Sequence, residues 1–232
     1  MDANPTAATA TTALTYSDFV FDHLRADIVQ GVFAPASKLA MKDLTARYQV
    51  GLSPIREALH RLVGEGFVLS VGQRGFTVPP LTLEDLEDLT ALRTLVEEAA
   101  IRQAIARGGD TWEAGIVAAF HRLEKQAARF ATDDETAIRH YDAVHRGFHT
   151  ALYAGVTAPR LATLHGNLYD QAFRYRKTLH HKRLTARDIV AEHRRLMKVV
   201  LSRDADAAAA ALCGHLQLTR KAAASFLADH AG

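Results

Sequence analysis

The chain has 232 residues, 48% hydrophobic and 23% charged, as expected of a globular protein with one large or two small domains. Its single cysteine, Cys213, excludes an intrachain disulfide framework and fits a reducing cytoplasm, and no apolar run approaches the roughly 20 residues that span a bilayer. A net charge of +2 is too small to argue for a nucleic-acid partner by itself. Residues 1–14 are rich in alanine and threonine, with no basic segment ahead of an apolar core. They read as a disordered tail, not a secretion signal. Tyr16–Gln30 reads as a first helix, with Phe19, Val20, His23, Leu24 and Ile28 near one face, and Gly31–Pro35 breaks it. Met41–Tyr48 reads as a short second helix, followed by a turn near 49–52. Ser53 is placed to cap a third helix, with Pro54 at its first position and Gly64 and Gly66 stopping it. A tight β-hairpin follows, with Arg74-Gly75 at or near its tip.

A short helix, a turn, a helix and a basic hairpin form the pattern of a winged helix-turn-helix that meets double-stranded DNA. Six Lys/Arg lie between Lys38 and Arg74 against Asp43, Glu57 and Glu65, a local balance of 6 − 3 = +3. Ser53, Ile55, Arg56 and His60 sit near the N-terminal half of the third helix, where a major-groove reader presents side chains. Arg56 could take a guanine edge or clamp a phosphate, and Lys42 is placed to meet backbone phosphate. Arg74 could enter the minor groove, with Gly75 allowing close backbone approach. Any one of these arginines alone reads more readily as solvated surface charge, and it is their joint placement that favours DNA contact. Leu44, Ile55, Leu59, Leu62, Val63 and Phe67 read as core.

Pro79-Pro80 interrupts helix and sheet alike, so 79–82 reads as a linker between a DNA-binding domain at 15–78 and a second domain at 83–228. Thr82 is a good cap, and Leu86, Leu89, Leu92, Leu95 and Val96 recur at helical spacing up to Arg107, where Gly108-Gly109 ends the helix. Further helices are expected at roughly 111–131, 134–154, 158–180, 185–202 and 204–228. Breaks fall at Thr132-Asp133, Gly155–Pro159, Leu184-Thr185 and Arg203-Asp204. The expected fold is mainly α, a winged helix-turn-helix followed by an antiparallel all-helical bundle. Twelve histidines are scattered through the chain. His145 and His149 are four apart and share a helix face, as two imidazole ligands of one metal require. His23, His60, His121, His140, His165, His180, His181 and His230 read as structural or solvent-facing, and Cys213 as packing.

Gly31, Leu39, Leu44, Pro54-Ile55-Arg56-Glu57-Ala58-Leu59, Leu62, Gly64-Glu65-Gly66 and Arg74-Gly75-Phe76-Thr77-Val78 resemble the GntR family of bacterial transcription regulators. Leu92-Arg93, Leu95-Val96-Glu97, Phe148-His149, Glu192-His193 and His215 resemble its FadR-type ligand-binding domain, often called FCD. The resemblance covers about residues 16–226 and implies a cytoplasmic homodimer on a pseudo-palindromic operator, not an enzyme. It also implies a small organic acid as effector, bound beside a metal. In the family pattern an acidic or amide residue stands four before a metal-binding histidine, followed by two histidines 22 apart. Here 215 − 193 is 22, and the position four before His149 is His145. The implied ligands are therefore His145, His149, His193 and His215, a set that suits zinc, nickel or copper. Asp142, one turn before His145, is a candidate to orient a ligand without binding the metal. Arg93 and Arg174 are candidates for the effector carboxylate, and Arg93 could instead pair with Glu97, four residues on. One departure concerns DNA: Gly51-Leu52 stands where the family usually has Ser-Arg. Two other readings remain. One is a sensor of the metal itself; the other is a metal-dependent hydrolase using Glu192, which lacks a His-Glu-x-x-His run and leaves the DNA reader unexplained.

Overall fold

A computed structural model describes residues 15–127, 135–177 and 186–229. The expected tail, the breaks at Thr132-Asp133 and Leu184-Thr185, and His180, His181 and His230 lie outside the described residues. The chain divides into two compact units, Met1–Pro80 and Leu81–Gly232.

The first unit holds α1 (Tyr16–Val29), β1 (Lys38–Leu39), α2 (Met41–Tyr48), α3 (Leu52–Gly64), β2 (Leu69–Ser70) and β3 (Phe76–Thr77). A capping box starts α1: the Thr15 hydroxyl accepts from the Asp18 N–H, and the Asp18 carboxylate accepts from the Thr15 N–H. The cap of α3 is Gly51, not Ser53, and no side chain caps this helix. Pro54 is then the third helical residue. It fits there because first-turn N–H groups have no intrahelical acceptor, so the missing donor costs little. The three strands form one antiparallel sheet in the order β1-β3-β2, with Leu39 opposite Phe76 and Ser70 opposite Phe76 on the other side. The two-residue strand β1 was not foreseen, since two residues carry no alternation to read. The hairpin turns through Gly75, whose φ of 93° strongly favours glycine. Val20, Leu24, Ile28, Leu44, Ile55, Leu59, Leu62 and Phe67 form the buried interior of this unit.

The second unit is helical among its described residues: α4 (Leu83–Arg107), α5 (Asp110–Ala127), α6 (Glu135–Leu152), α7 (Pro159–Lys177), α8 (Ala186–Leu201) and α9 (Ala205–Asp229). The Thr82 hydroxyl caps α4 by accepting from the Asp85 N–H, and Asp204 caps α9 by accepting from the N–H groups of Asp206 and Ala207. Helix α4 packs on α7 and α9, α5 on α6 and α8, and α8 on α9. One apolar core joins Ile101, Trp112, Ile116, Leu123, Phe148, Leu152, Val200 and Leu212; a smaller one joins Leu86, Leu89, Val96, Leu168 and Tyr175. A Cβ at Gly108 would stand 2.2 Å from the Trp112 ring, so this helix end needs glycine for space. No helix among the described residues is long and apolar enough to cross a membrane.

Candidate DNA-reading surface and buried histidine centre

On α3 the buried residues are Ile55, Ala58, Leu59 and Leu62, while Leu52, Ser53, Arg56 and His60 are exposed. Positions 52, 56 and 60 share one helix face with Ser53 exposed beside it, whereas Ile55, expected both among the reader residues and in the core, is fully buried. Lys42 on α2 and Arg74 on the wing are also exposed. The His60 ring packs edge-on against Phe76, 5.3 Å between centroids, joining α3 to the wing strand. Two of the six local cations are taken internally: Arg47 by Asp27 (2.8 Å) and Arg61 by Asp18 (2.8 Å). The side chains of Lys38, Lys42, Arg56 and Arg74 make no hydrogen bond or ion pair with other described residues. What they present is open positive charge, the type that neutralises phosphates.

The second unit gathers its histidines inside. His145 and His149 project from one face of α6, His193 comes from α8 and His215 from α9, and all four are buried. One ring nitrogen from each of His145, His149 and His193 lies within 4.8 Å of the other two. The His215 ring is 5.0 Å, centroid to centroid, from both His149 and His193. His193 Nδ1 donates to the Ile189 carbonyl (2.7 Å), which leaves its Nε2 lone pair facing the centre. His215 Nδ1 meets the Glu192 carboxylate (2.8 Å), which orients that ring in the same way. Neither nitrogen of His149 finds a hydrogen-bond partner, although both are buried. Leaving such groups unmade is costly, and a metal ion bound to this nitrogen would remove part of the cost. Burial, together with Arg176 and the neighbouring rings, holds His145 well below the ordinary imidazole range. Burial and His215 do the same at His149, and they bring His193 down to about 3. Neutral imidazoles are the form that binds metal. The donor set therefore fits a transition-metal ion.

Beside the histidines lies a cavity of about 20 Å³, lined by Arg93, His145, His149, Tyr169, Phe173, Arg176, His215 and Thr219 among others. That is room for about one water molecule. Arg93 faces it but is engaged by Glu97, with Nε at 2.8 Å and a second nitrogen at 2.5 Å from the same oxygen. Tyr153 donates to the other Glu97 oxygen (2.7 Å). Burial raises the Glu97 carboxyl, but Arg93, His165 and Tyr153 outweigh it and the net shift is downward. The anticipated ion pair and the anticipated cavity position thus coexist at Arg93. Arg174 does not line this cavity. It is buried near Tyr175 and Asp85, and burial lowers its pKa. The α7 arginine in the cavity is Arg176, which sequence reasoning missed. It reaches His145 Nδ1 (2.6 Å), the Tyr169 hydroxyl (3.1 Å) and Asp142 (3.4 Å). The signal was present: Tyr169, Phe173 and Arg176 follow an i, i+4, i+7 pattern, whereas Arg174 points to another side. Asp142 is buried and meets the site through this arginine.

The fold points to a class: a transcription regulator with a winged helix-turn-helix unit and a helical second domain. The bacterial regulatory protein gntR family matches residues 16–78, and the FCD domain matches residues 88–218. The chain belongs to the GntR family and carries an FCD domain; it is a regulator and not an enzyme. It is 38% identical to the HTH-type transcriptional regulator BphR of Paraburkholderia xenovorans (strain LB400), over 85% of this chain and 80% of BphR. It is 36% identical to the HTH-type transcriptional repressor GlaR of Escherichia coli (strain K12), over 83% of this chain and 89% of GlaR. The solved structure of E. coli McbR/YncC shares its fold, with a TM-score of 0.73 at 19% identity, covering 88% of this chain and 94% of that one.

Proposed function

We propose that this protein is a cytoplasmic, homodimeric repressor of the FadR subfamily whose hold on its operator is set by a small organic acid bound beside a metal. The repressor sense rests on the similarity to GlaR, named as a repressor. Residues 15–78 read DNA, 79–82 connect, and 83–228 sense. Arg56 and Ser53 meet base edges or phosphates in the major groove, Lys42 meets phosphate, and Arg74-Gly75 meets the minor groove. His145, His149, His193 and His215 form the metal-binding set, with zinc or nickel suited to all-imidazole ligation. The bound ion supplies fixed positive charge beside the cavity, where Arg93 and Arg176 add two guanidinium groups. The observation that carries this reading is the convergence of four buried histidines from three helices, with His149 unsatisfied at both nitrogens.

The cavity holds about one water, so an organic acid enters only when the lining helices shift. Helix α7 links such a shift to the connection. Tyr175, adjacent to Arg176, bonds Thr82 and Asp85 at the start of α4, with its hydroxyl 2.5 Å from the Asp85 carboxylate and 3.3 Å from the Thr82 carbonyl. An effector that prefers the widened state biases the residues next to the 79–82 segment, and by linkage DNA binding biases effector affinity equally. The small cavity also favours a second reading, in which the metal itself is the signal. Operator release measured against zinc, nickel and a panel of organic acids separates the two. Release by an acid at constant metal supports metabolite sensing; release by metal alone supports metal sensing. No release by either rejects both.

A further inference from the structure

Helix α3 has a buried face and an open one. Ile55, Ala58, Leu59 and Leu62 fill the interior, which leaves Leu52 as the only exposed large apolar side chain of this helix, at 57%. It is the first helical residue, one turn ahead of Arg56 and two ahead of His60 on the same face. The helix end around it is bare. Its cap, Gly51, has no side chain, a Cβ there would meet nothing within 4 Å, and no acidic residue stands in the first turn. Nothing at this end blocks or repels a phosphate backbone, and the N-terminal residues of a reader helix are the ones that meet base edges. Arg56, exposed one turn on, supplies positive charge to the same face. Docking that face on a duplex therefore covers Leu52 as well.

An isobutyl side chain neutralises no phosphate and pairs with no donor or acceptor. The one apolar feature on a major-groove base edge is the C5-methyl group of thymine. We propose that Leu52 reads this methyl group, so that each half-site of the operator carries a thymine specified by Leu52. This rests on the DNA reading proposed above and deepens it. Two effects act in the same direction. Contact with the methyl group removes apolar surface of both partners from water. Over a cytosine, the same side chain would cover the N4 amino group, which would lose water and gain no acceptor. One helical turn rises about 5.4 Å against about 3.4 Å per base pair, so the thymine lies one or two base pairs from the Arg56 contact.

The test uses a duplex that the full chain selects from a random double-stranded DNA library. Each thymine of that duplex is replaced in turn by uracil, which keeps the base pair and removes only the methyl group. Binding of the full chain is then measured by fluorescence anisotropy. In each half-site one replacement is expected to weaken wild-type binding by about fourfold, the transfer worth of one methyl group. Changing the same T·A pair to C·G is expected to cost about tenfold. Leu52→Ser, shorter and polar, is expected to bind the thymine and uracil duplexes equally. If Leu52→Ser binds too weakly to measure, Leu52→Ala makes the same comparison. The proposal is overturned if no thymine responds to loss of its methyl group in the wild type, or if the response persists at full size in the Leu52 variant. In both cases DNA reading by this surface stands, provided that Arg56→Ala weakens binding to the selected duplex. If the wild type selects no sequence, or Arg56→Ala binds as the wild type does, the DNA reading itself is wrong and the role of Leu52 falls with it.

Discussion

The two functional regions of this chain are opposites in physical character. The proposed DNA-reading surface carries its charges in the open: Lys42, Arg56 and Arg74 are exposed and have no intramolecular ion pair among the described residues. The histidine cluster of the second unit hides its polar groups: His145, His149, His193, His215 and Glu97 are all buried. The difference matches the ligands proposed for the two regions. A DNA duplex is larger than the reader and brings its own charge, so the protein needs only solvated cations on a rigid helix face. A metal ion or a small acid must be surrounded, so its receptor is paid for by buried polar groups that stay neutral or ion-paired. Mutations should therefore cost function without stability in the first region, and both together in the second.

The largest expected effect is complete. His149→Ala or His193→Ala should abolish stoichiometric zinc and its thermal stabilisation, read by metal analysis and by melting with and without zinc. Retained zinc would place the ion elsewhere. Next, Glu97→Ala leaves Arg93 buried without its carboxylate and should lower stability by about 3–5 kcal/mol in urea unfolding. A loss near zero would show that the pair is merely tolerated. Arg56→Ala should weaken operator binding by about 1–3 kcal/mol while changing stability by less than about 0.5 kcal/mol. Equal losses of stability and affinity would erase the contrast between the regions. Smallest, Tyr175→Phe should cost about 1 kcal/mol of stability through its lost hydrogen bonds and blunt the effector's action on DNA binding. An unaltered effector response would remove α7 from the coupling path.

Much of this was legible in the sequence because it rests on periodicity and punctuation. Thr82 with Asp85 announced α4, and the long helical runs of the second unit stand within a few residues of where spacing placed them. The regulator family was likewise readable from Pro54–Leu59 and Arg74–Val78. Short-range choices were harder. Serine, proline and glycine all stood near the start of α3, and which one capped it depended on a single residue's backbone geometry. The cavity arginine was missed because Arg174 and Arg176 are equally basic and two apart. Only the rotation of α7 against α6 and α9 decides which one meets the histidines. That Arg176 seizes His145 is a tertiary fact, joining residues 31 apart, with no signature in either helix alone.

The account stands most directly on the metal. Zinc K-edge absorption of the zinc-titrated wild-type chain should show one ion per chain, surrounded by nitrogen and oxygen with the scattering pattern of several imidazoles. No stoichiometric zinc, or a zinc shell without imidazole, would contradict it.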